Sequence, residues 1–477
     1  MPMAGNAFHR AFVRSASIGL VALACAACTV GPNYHRPQVE VPDSYRGPEP
    51  ATNAAAATEA ASLADEKWWE VFQDKELQGL IRTAVANNYD VRIAAARVLE
   101  AQAQLGITRA DQFPSLGLGA NITSIRDPTI GPVPAFKFTT GEITATAAWN
   151  LDFWGKYRRA TEAARANLLA SEWARQQVIS TLVANVASSY FQLRQLDLAL
   201  EISRDTLASR RESLQLTTLL TEHGIDTMLD QRQAEELVYT ASAQIPDLER
   251  QIAQQENNIS LLLGNNPGPI PRGLKLAEQP HAPEVPAGLP SSLLERRPDI
   301  RQAEQTLIAA NAQIGVARAA YFPQISLTGT AGFQSPALHN LFTEPQSVWT
   351  LASALTQPIF EGGRIKNNVR LAEAQKQQMV LTYQQTIKGA FRDVSNALVA
   401  YRKNREFRLE QERLTASAQD AAQLSQQRFK AGVSDYLEVL TNETNYFSDE
   451  LTLAQARFNE VQALVQLYQV LGGGWEQ

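Results

Sequence analysis

One stretch of this chain occurs twice, and that duplication constrains the fold more than any other feature. Residues 90–116 read DVRIAAARVLEAQAQLGITRADQFPSL and residues 299–325 read DIRQAEQTLIAANAQIGVARAAYFPQI. At a constant offset of 209, eleven of 27 positions are identical, among them Asp90/Asp299, Gly106/Gly315, Arg109/Arg318, Phe113/Phe322 and Pro114/Pro323. An ungapped match of this length marks an internal repeat. Both copies change period at the same place. An Ala-rich segment of helical period runs into Phe-Pro, which disfavours helix at the residue before the proline, and a period-2 segment follows. The repeated unit is therefore helix, Phe-Pro, strand, and the 477 residues form one body of two similar halves rather than a string of unrelated domains.

Four stretches alternate like strands, two per half: Leu116–Ile125, Gly141–Phe153, Ile325–Phe333 and Ser347–Phe360. Each is about the ~9–11 residues that a tilted membrane strand needs. One face is apolar and the other small and polar, as in an outer-membrane barrel; a soluble sandwich with one wet face has the same alternation. Trp149 and Trp349 sit at matching places in the two halves and read either as interfacial anchors or as core aromatics. The loops at 126–138 and 334–346 carry Pro and Gly.

A glycine and a very long helix follow each strand pair. Gly224 is the only glycine between Gly155 and Gly264, and no proline lies between Pro134 and Pro246 or after Pro358, so little can break the helix. From Gly155 to Gly224 an unbroken helix is about 100 Å long at ~1.5 Å per residue. Its Gln, Arg and Glu content keeps it out of a membrane, so it packs on other helices in water, coiled-coil fashion. Gly224 and Gly432 stand at matching places as the turns of two helical hairpins. Residues 264–290 hold seven prolines and read as a linker along the outside of the helices.

Residues 1–27 have the basic, apolar and small-residue regions of a secretory signal, and the apolar run is too short to span a bilayer. The mature chain then begins at Cys28, expected to carry an S-diacylglycerol and an N-palmitate; a simple signal peptide with an unmodified Cys28 is the alternative. Thr29 rather than Asp follows, as in lipoproteins sent to the outer membrane. Residues 28–67 read as a lipid-anchored extended segment, and Cys25 and Cys28 are the only cysteines. The net charge of −6, without a basic stripe, argues against nucleic acid. His-Glu-x-x-His, Gly-x-Ser-x-Gly and P-loop patterns are missing, so neither an enzyme nor a cofactor beyond the lipid is expected.

Four membrane strands cannot close a barrel alone, because open edges in lipid leave backbone groups unsatisfied at several kcal/mol each. Two, three or four copies would pool eight, twelve or sixteen strands. Leu289-Pro-Ser-Ser-Leu-Leu-Glu-Arg-Arg-Pro-Asp-Ile300, the run Ala317 to Leu327, and Gln357-Pro-Ile-Phe-Glu-Gly-Gly-Arg364 resemble the signature runs of TolC-type outer-membrane efflux channels. Cys28-Thr-Val-Gly-Pro-Asn-Tyr fits their NodT-type lipoprotein branch. The resemblance implies an α+β membrane protein, a homotrimer whose twelve-stranded β-barrel, four strands per protomer, continues into an α-helical coiled-coil barrel. It divides the mature chain into repeat 1 (68–263), linker (264–290), repeat 2 (291–471) and tail (472–477). It implies three partners besides outer-membrane lipid: a periplasmic adaptor, an inner-membrane pump of the resistance-nodulation-division class, and two further copies of the chain. A type I protein-secretion channel and a lipid-anchored, non-conducting coiled-coil scaffold are the competing readings.

The resemblance also implies a periplasmic gate beyond the hairpin tips. By position, Asp230 and Glu438 keep the acidic character of a constriction ring, Phe429 stands where a gate tyrosine is common, Ser434 where an arginine can be, and Thr441 where a second ring aspartate is common. Glu438, Asn442, Asn445 and Asp449 form a polar stripe at helical spacing, with Leu437, Leu440, Phe447 and Leu451 away from it. The stripe faces either a lumen or outer solvent.

Overall fold

The structure is a computed structural model that describes residues 29–43, 45, 46, 63, 67–128, 132, 135–279 and 290–475. The leader at 1–27, Cys28, most of 47–66 and residues 280–289 lie outside the described residues. Repeat 1 contains α1 (Trp68–Val71), α2 (Lys75–Asn87), α3 (Tyr89–Ala110), β1 (Ser115–Asp127), β2 (Phe136–Leu151), α4 (Lys156–Glu222) and α5 (Met228–Leu262). Repeat 2 contains α6 (Pro290–Arg296), α7 (Pro298–Ala319), β3 (Gln324–Ser335), β4 (Ser347–Thr356), α8 (Arg364–Lys430) and α9 (Tyr436–Val470). Paired helices have equal lengths: 22 residues for α3 and α7, 67 for α4 and α8, 35 for α5 and α9. In the linker, the described residues 264–279 form no strand, only a 3-10 turn at Leu276–Glu278.

The residues group into two compact units. The first takes the described residues of Met1–Gln38 together with Arg97–Ser171 and Gln302–Tyr383. Its centre is one antiparallel sheet in the order β1-β2-β3-β4. β2 begins earlier than the alternation suggested, at Phe136, and β4 ends earlier, at Thr356, because Pro358 can neither donate to a ladder nor leave its predecessor free. Ala163 and Ala166 of α4 bury against Ala309 and Ala312 of α7, the small side chains allowing close approach.

Thr29–Pro37 crosses these helices as an extended strap. Val30 N donates to Trp154 O (3.0 Å) and Asn311 Nδ2 to Pro32 O (2.9 Å). Arg159 Nη2 donates to Asn33 Oδ1 (2.8 Å), and Arg36 grips the buried Glu304 carboxylate through two bonds of 2.6 and 2.7 Å. Gly315 is where the strap touches the helix: a Cβ there would lie 2.7 Å from Val30 O. Its repeat mate Gly106 meets nothing within 4 Å, so the identical pair serves different local needs.

The second unit comprises Val39–Ala96, Glu172–Arg301 and Gln384–Gln477. Asp74, 1% exposed, organises its upper part. Oδ1 caps α2 by accepting from Glu76 N and Leu77 N, while Oδ2 accepts from the Tyr190 hydroxyl (2.9 Å) and from Leu274 N (2.9 Å). This fastens the linker to α4. In the Arg-Arg-Pro-Asp run, Arg297 forms a forked pair with Asp299 (2.9 and 2.6 Å) and donates to Val470 O (3.2 Å), satisfying a carbonyl at the end of α9. The motif is a helix-end clamp. The tail is also packed: Ser180 Oγ donates to Gly473 O (2.7 Å), and Trp475 meets Trp173 edge-on at 6.1 Å.

Candidate functional site

Two places bear on function: the sheet in the first unit and the hairpin tips in the second. In the sheet, the ladder pairs Leu116 with Ala147, Leu118 with Ala145 and Ala120 with Ile143. β2 pairs in turn Ile143 with Phe333, Ala145 with Ala331 and Trp149 with Leu327. β3 pairs Ile325 with Leu355, Gly329 with Leu351 and Ala331 with Trp349. Directly opposed residues share a face, so Leu116, Leu118, Ile143, Trp149, Leu327, Phe333, Trp349, Leu351 and Leu355 fall on one surface, while Ile125, Phe138 and Val348 fall on the other. The other surface carries Gly117, Gly119, Asn121, Thr144, Thr146, Thr328, Thr330 and Thr350.

The apolar surface is not covered: Leu116 is 84% exposed, Leu351 78% and Trp349 78%. An apolar patch of this continuity is not left to water. Among the described residues β1 and β4 also each have a partner on one side only. No helix among the described residues is long and apolar enough to cross a membrane.

The two tryptophans are not equivalents. Trp149 lies opposite Leu327, which pairs with Ser353, four residues from Trp349. The repeat mate of Trp149 is Gln357. Trp149 Nε1 donates to Gln112 O (3.0 Å) and Gln357 Nε2 to Tyr321 O (3.0 Å), each closing its strand pair onto the residue before Phe-Pro. The expectation that Trp149 and Trp349 match fails because Trp149 stands close to the end of β2, at Leu151, and Trp349 close to the start of β4, at Ser347, so the two rings lie at opposite ends of their strands.

At the tips, Gly224 and Gly432 adopt φ of +71° and +67°, where a Cβ is strained. Ile225 N donates to Leu220 O and Val433 N to Arg428 O, both at 2.9 Å, so both helices end in the same reversal. The next turn differs. Thr227 and Asp230 form a reciprocal capping box that starts α5, with Thr227 N donating to Asp230 Oδ2 at 3.1 Å. Asp435, at the matching position, makes no side-chain cap. Glu438 instead accepts from Arg428 Nε at 3.0 Å. Asp230 is thus a capping residue in the protomer, and Glu438 a partly exposed, ion-paired one.

Phe429 packs edge-on against Tyr436 at 5.4 Å, in a cluster with Ala234 and Val439. Thr441 is exposed and its hydroxyl donates to Leu437 O (2.8 Å). Ser434 Oγ is buried without a hydrogen-bond partner. The stripe is half open: Glu438, Asn442 and Asp449 are partly buried and Asn445 exposed. The apolar set divides. Phe447 is buried, but Leu437 is 55% exposed, and the buried edge of α9 runs Tyr436, Val439, Glu443, Phe447.

That edge holds what sequence reasoning passed over. Arg210 of α4, 2% exposed, donates to Leu237 O at 2.8 Å and lies over the Phe447 ring at 4.8 Å; burial pulls its pKa below the usual guanidinium value. Burial, and next the Glu443 charge, push the Tyr436 hydroxyl far up. The i, i+3, i+7 spacing of 436, 439 and 443 was the available signal, hidden by a glutamate on an otherwise apolar edge.

Known proteins match this chain over nearly its whole length. The family model described as outer membrane efflux protein matches residues 80–265 and 289–473, one segment in each half. The chain is 36% identical over 464 residues to the probable efflux pump outer membrane protein TtgC of Pseudomonas putida, covering 96% of this chain and 95% of that protein. It is 34% identical over 458 residues to the cation efflux system protein CusC of Escherichia coli, covering 95% and 98%. Among solved structures, the open state of the Neisseria gonorrhoeae MtrE outer membrane channel superposes with a TM-score of 0.85 at 31% identity, covering 94% of this chain and 99% of that one. CusC superposes with the same score at 32% identity, covering 94% and 100%. The chain therefore belongs to the outer membrane efflux protein family and is the outer-membrane channel component of an efflux pump.

Proposed function

We propose that this chain is the exit duct of a tripartite pump: a homotrimer whose three sheets close into one twelve-stranded barrel, and whose paired helices form a periplasmic coiled-coil conduit. One observation carries the reading. A four-stranded sheet with one uncovered apolar face and two unpaired edges is unsatisfied in lipid unless edge meets edge, β4 of one protomer beside β1 of the next. A non-conducting scaffold has no use for that face. Three copies close a barrel of ordinary size for this class.

Relatives bear names of toluene, antibiotic and cation efflux, which favours small solutes over proteins as cargo. In this reading a periplasmic adaptor meets the hairpin tips and an inner-membrane pump of the resistance-nodulation-division class supplies the energy, while the duct is passive. Cys28 carries the diacylglycerol and palmitate, and the strap Thr29–Pro37 leads from that anchor to the start of α4. The tip residues Asp230, Glu438, Phe429 and Thr441 belong to the gate region, with Glu438 on its lumen side.

Reconstitution of the purified protein in a planar bilayer tests the central claim. Discrete conductance steps from a species whose mass equals three chains are expected. A folded monomer that conducts, or a trimer that never conducts, overturns it.

A further inference from the structure

In the second unit α4, α8 and α9 leave between them, beside the turn at 276–278, a cavity of about 760 Å³. Such a volume is ordinary for a small-molecule site. Five carboxylates line it, and two are neutralised. Asp197 is paired with Arg194 at 2.7 Å, and Glu201 with Lys275 at 2.9 Å. The third lining cation, Arg210, donates to backbone carbonyls, Leu237 O at 2.8 Å and Glu443 O at 3.5 Å. This leaves Asp205, Glu443 and Glu450.

Glu443 is 7% exposed. Its Oε1 accepts from Gln426 Nε2 at 2.5 Å, while Oε2 has no partner. A buried carboxylate oxygen without a donor is costly: the neighbouring Arg210 guanidinium offsets part of the Glu443 charge but gives Oε2 no hydrogen bond. Asp205 stands on the open rim without an ion pair among the described residues. The Tyr446 hydroxyl donates to Glu450 at 2.8 Å. Burial, with the Asp205 charge behind it, nevertheless holds Glu450 above the ordinary carboxylate range. Leu198, Ile202 and Phe447 line the space between the acids.

A single metal ion does not fit. No three acidic or histidine groups among the described residues are close enough to hold one. The complement of separated carboxylates joined by apolar wall is a flexible cation with separated N–H donors joined by methylenes. We propose that this cavity binds a linear polyamine, one ammonium group meeting Glu443 Oε2 and another meeting Asp205 and Glu450, with the methylene chain against Ile202 and Phe447. Charge-assisted hydrogen bonds of this kind are the strong ones. The repeat supplies no second copy, because Arg413 and Ser242 occupy the positions that match Asp205 and Glu450. The site stands on α4 and repeat 2 together, once per chain, and does not depend on the duct reading.

Equilibrium dialysis of radiolabelled spermidine against the purified full-length oligomer in detergent tests the site. One saturable site per chain is expected, undisplaced by magnesium at matched ionic strength. Glu443→Gln and Asp205→Asn should each weaken it roughly tenfold, about 1.4 kcal/mol. Asp205 lies on the rim, so Asp205→Asn keeps the test open even where the buried Glu443→Gln unfolds the bundle. Absence of saturable binding, displacement by magnesium as a general counter-ion, or unchanged affinity in folded Asp205→Asn overturns the proposal.

Discussion

Asp230 and Glu438 occupy the same place in the two repeats and do different work. Asp230 closes a capping box with Thr227; Glu438 reaches back to Arg428 across the turn at Gly432. That ion pair is 53% and 36% exposed, a setting in which such pairs are worth about 0–1 kcal/mol, so Glu438 can be changed at little cost to folding. In the proposed trimer three Glu438 carboxylates converge and make the pore cation-preferring. Glu438→Gln is expected to weaken cation selectivity and block by multivalent cations in single-channel recordings while trimer yield stays the same. Unchanged selectivity and block would remove Glu438 from the constriction. The acidic pair was legible from sequence alignment across the repeat. The division of labour between its members was not, because it depends on Thr227 against Asp435 at the cap and on Arg428 reaching Glu438 across the turn.

The helical hairpins match in length but not in what holds them. In repeat 2, Arg408 of α8 and Glu460 of α9 form a buried ion pair, with side chains 9% and 2% exposed. The matching positions of repeat 1 are Leu200 and Ile252, which pack in an apolar cluster with Leu196 and Leu248. One backbone plan thus accepts either chemistry at this level of the hairpin. Breaking a buried pair leaves an uncompensated charge, whereas replacing both partners with apolar residues of similar volume is often neutral or stabilising. Arg408 keeps a second ion pair with Glu412 at 2.8 Å, so Glu460→Ala is expected to cost no more than the lower end of the usual range, about 3 kcal/mol, and to lower the thermal midpoint followed by circular dichroism. Arg408→Leu combined with Glu460→Ile should recover it, and Glu412 keeps its contact to Arg457. A double variant as unstable as the single one would show that the charges are needed for more than filling the seam.

At the scale of the molecule, the proposed anchor at Cys28 and the strap are separate devices. Protein contacts hold the strap, chiefly Arg36 on Glu304 and Asn311 on Pro32, so Thr29–Pro37 is fixed whether or not a lipid is attached. Cys28→Ala is expected to abolish metabolic labelling with palmitate while leaving the yield of folded oligomer nearly unchanged. Label that persists in the variant would exclude Cys28 as the acylated residue. A collapse in folded yield would mean that the lipid takes part in assembly and does more than tether.

The sequence by itself determined the duplication, the helix-to-strand switch at Phe-Pro, the long helices and their turns, because each rests on local chemistry: period, proline, and a glycine free to take positive φ. It also determined the alternation that makes one sheet face apolar. Tertiary structure alone decided three things. It set the register, which makes Gln357 rather than Trp349 the counterpart of Trp149. It turned Arg297-Pro298-Asp299 into a clamp on the end of α9, a contact across 173 residues of chain. And it brought Arg210, Glu443 and Tyr436 onto one buried edge. Pairing partners far apart in sequence, and polar side chains hidden on an apolar edge, leave no periodic trace; they are settled only when separate elements meet and each buried group finds a partner or goes without one.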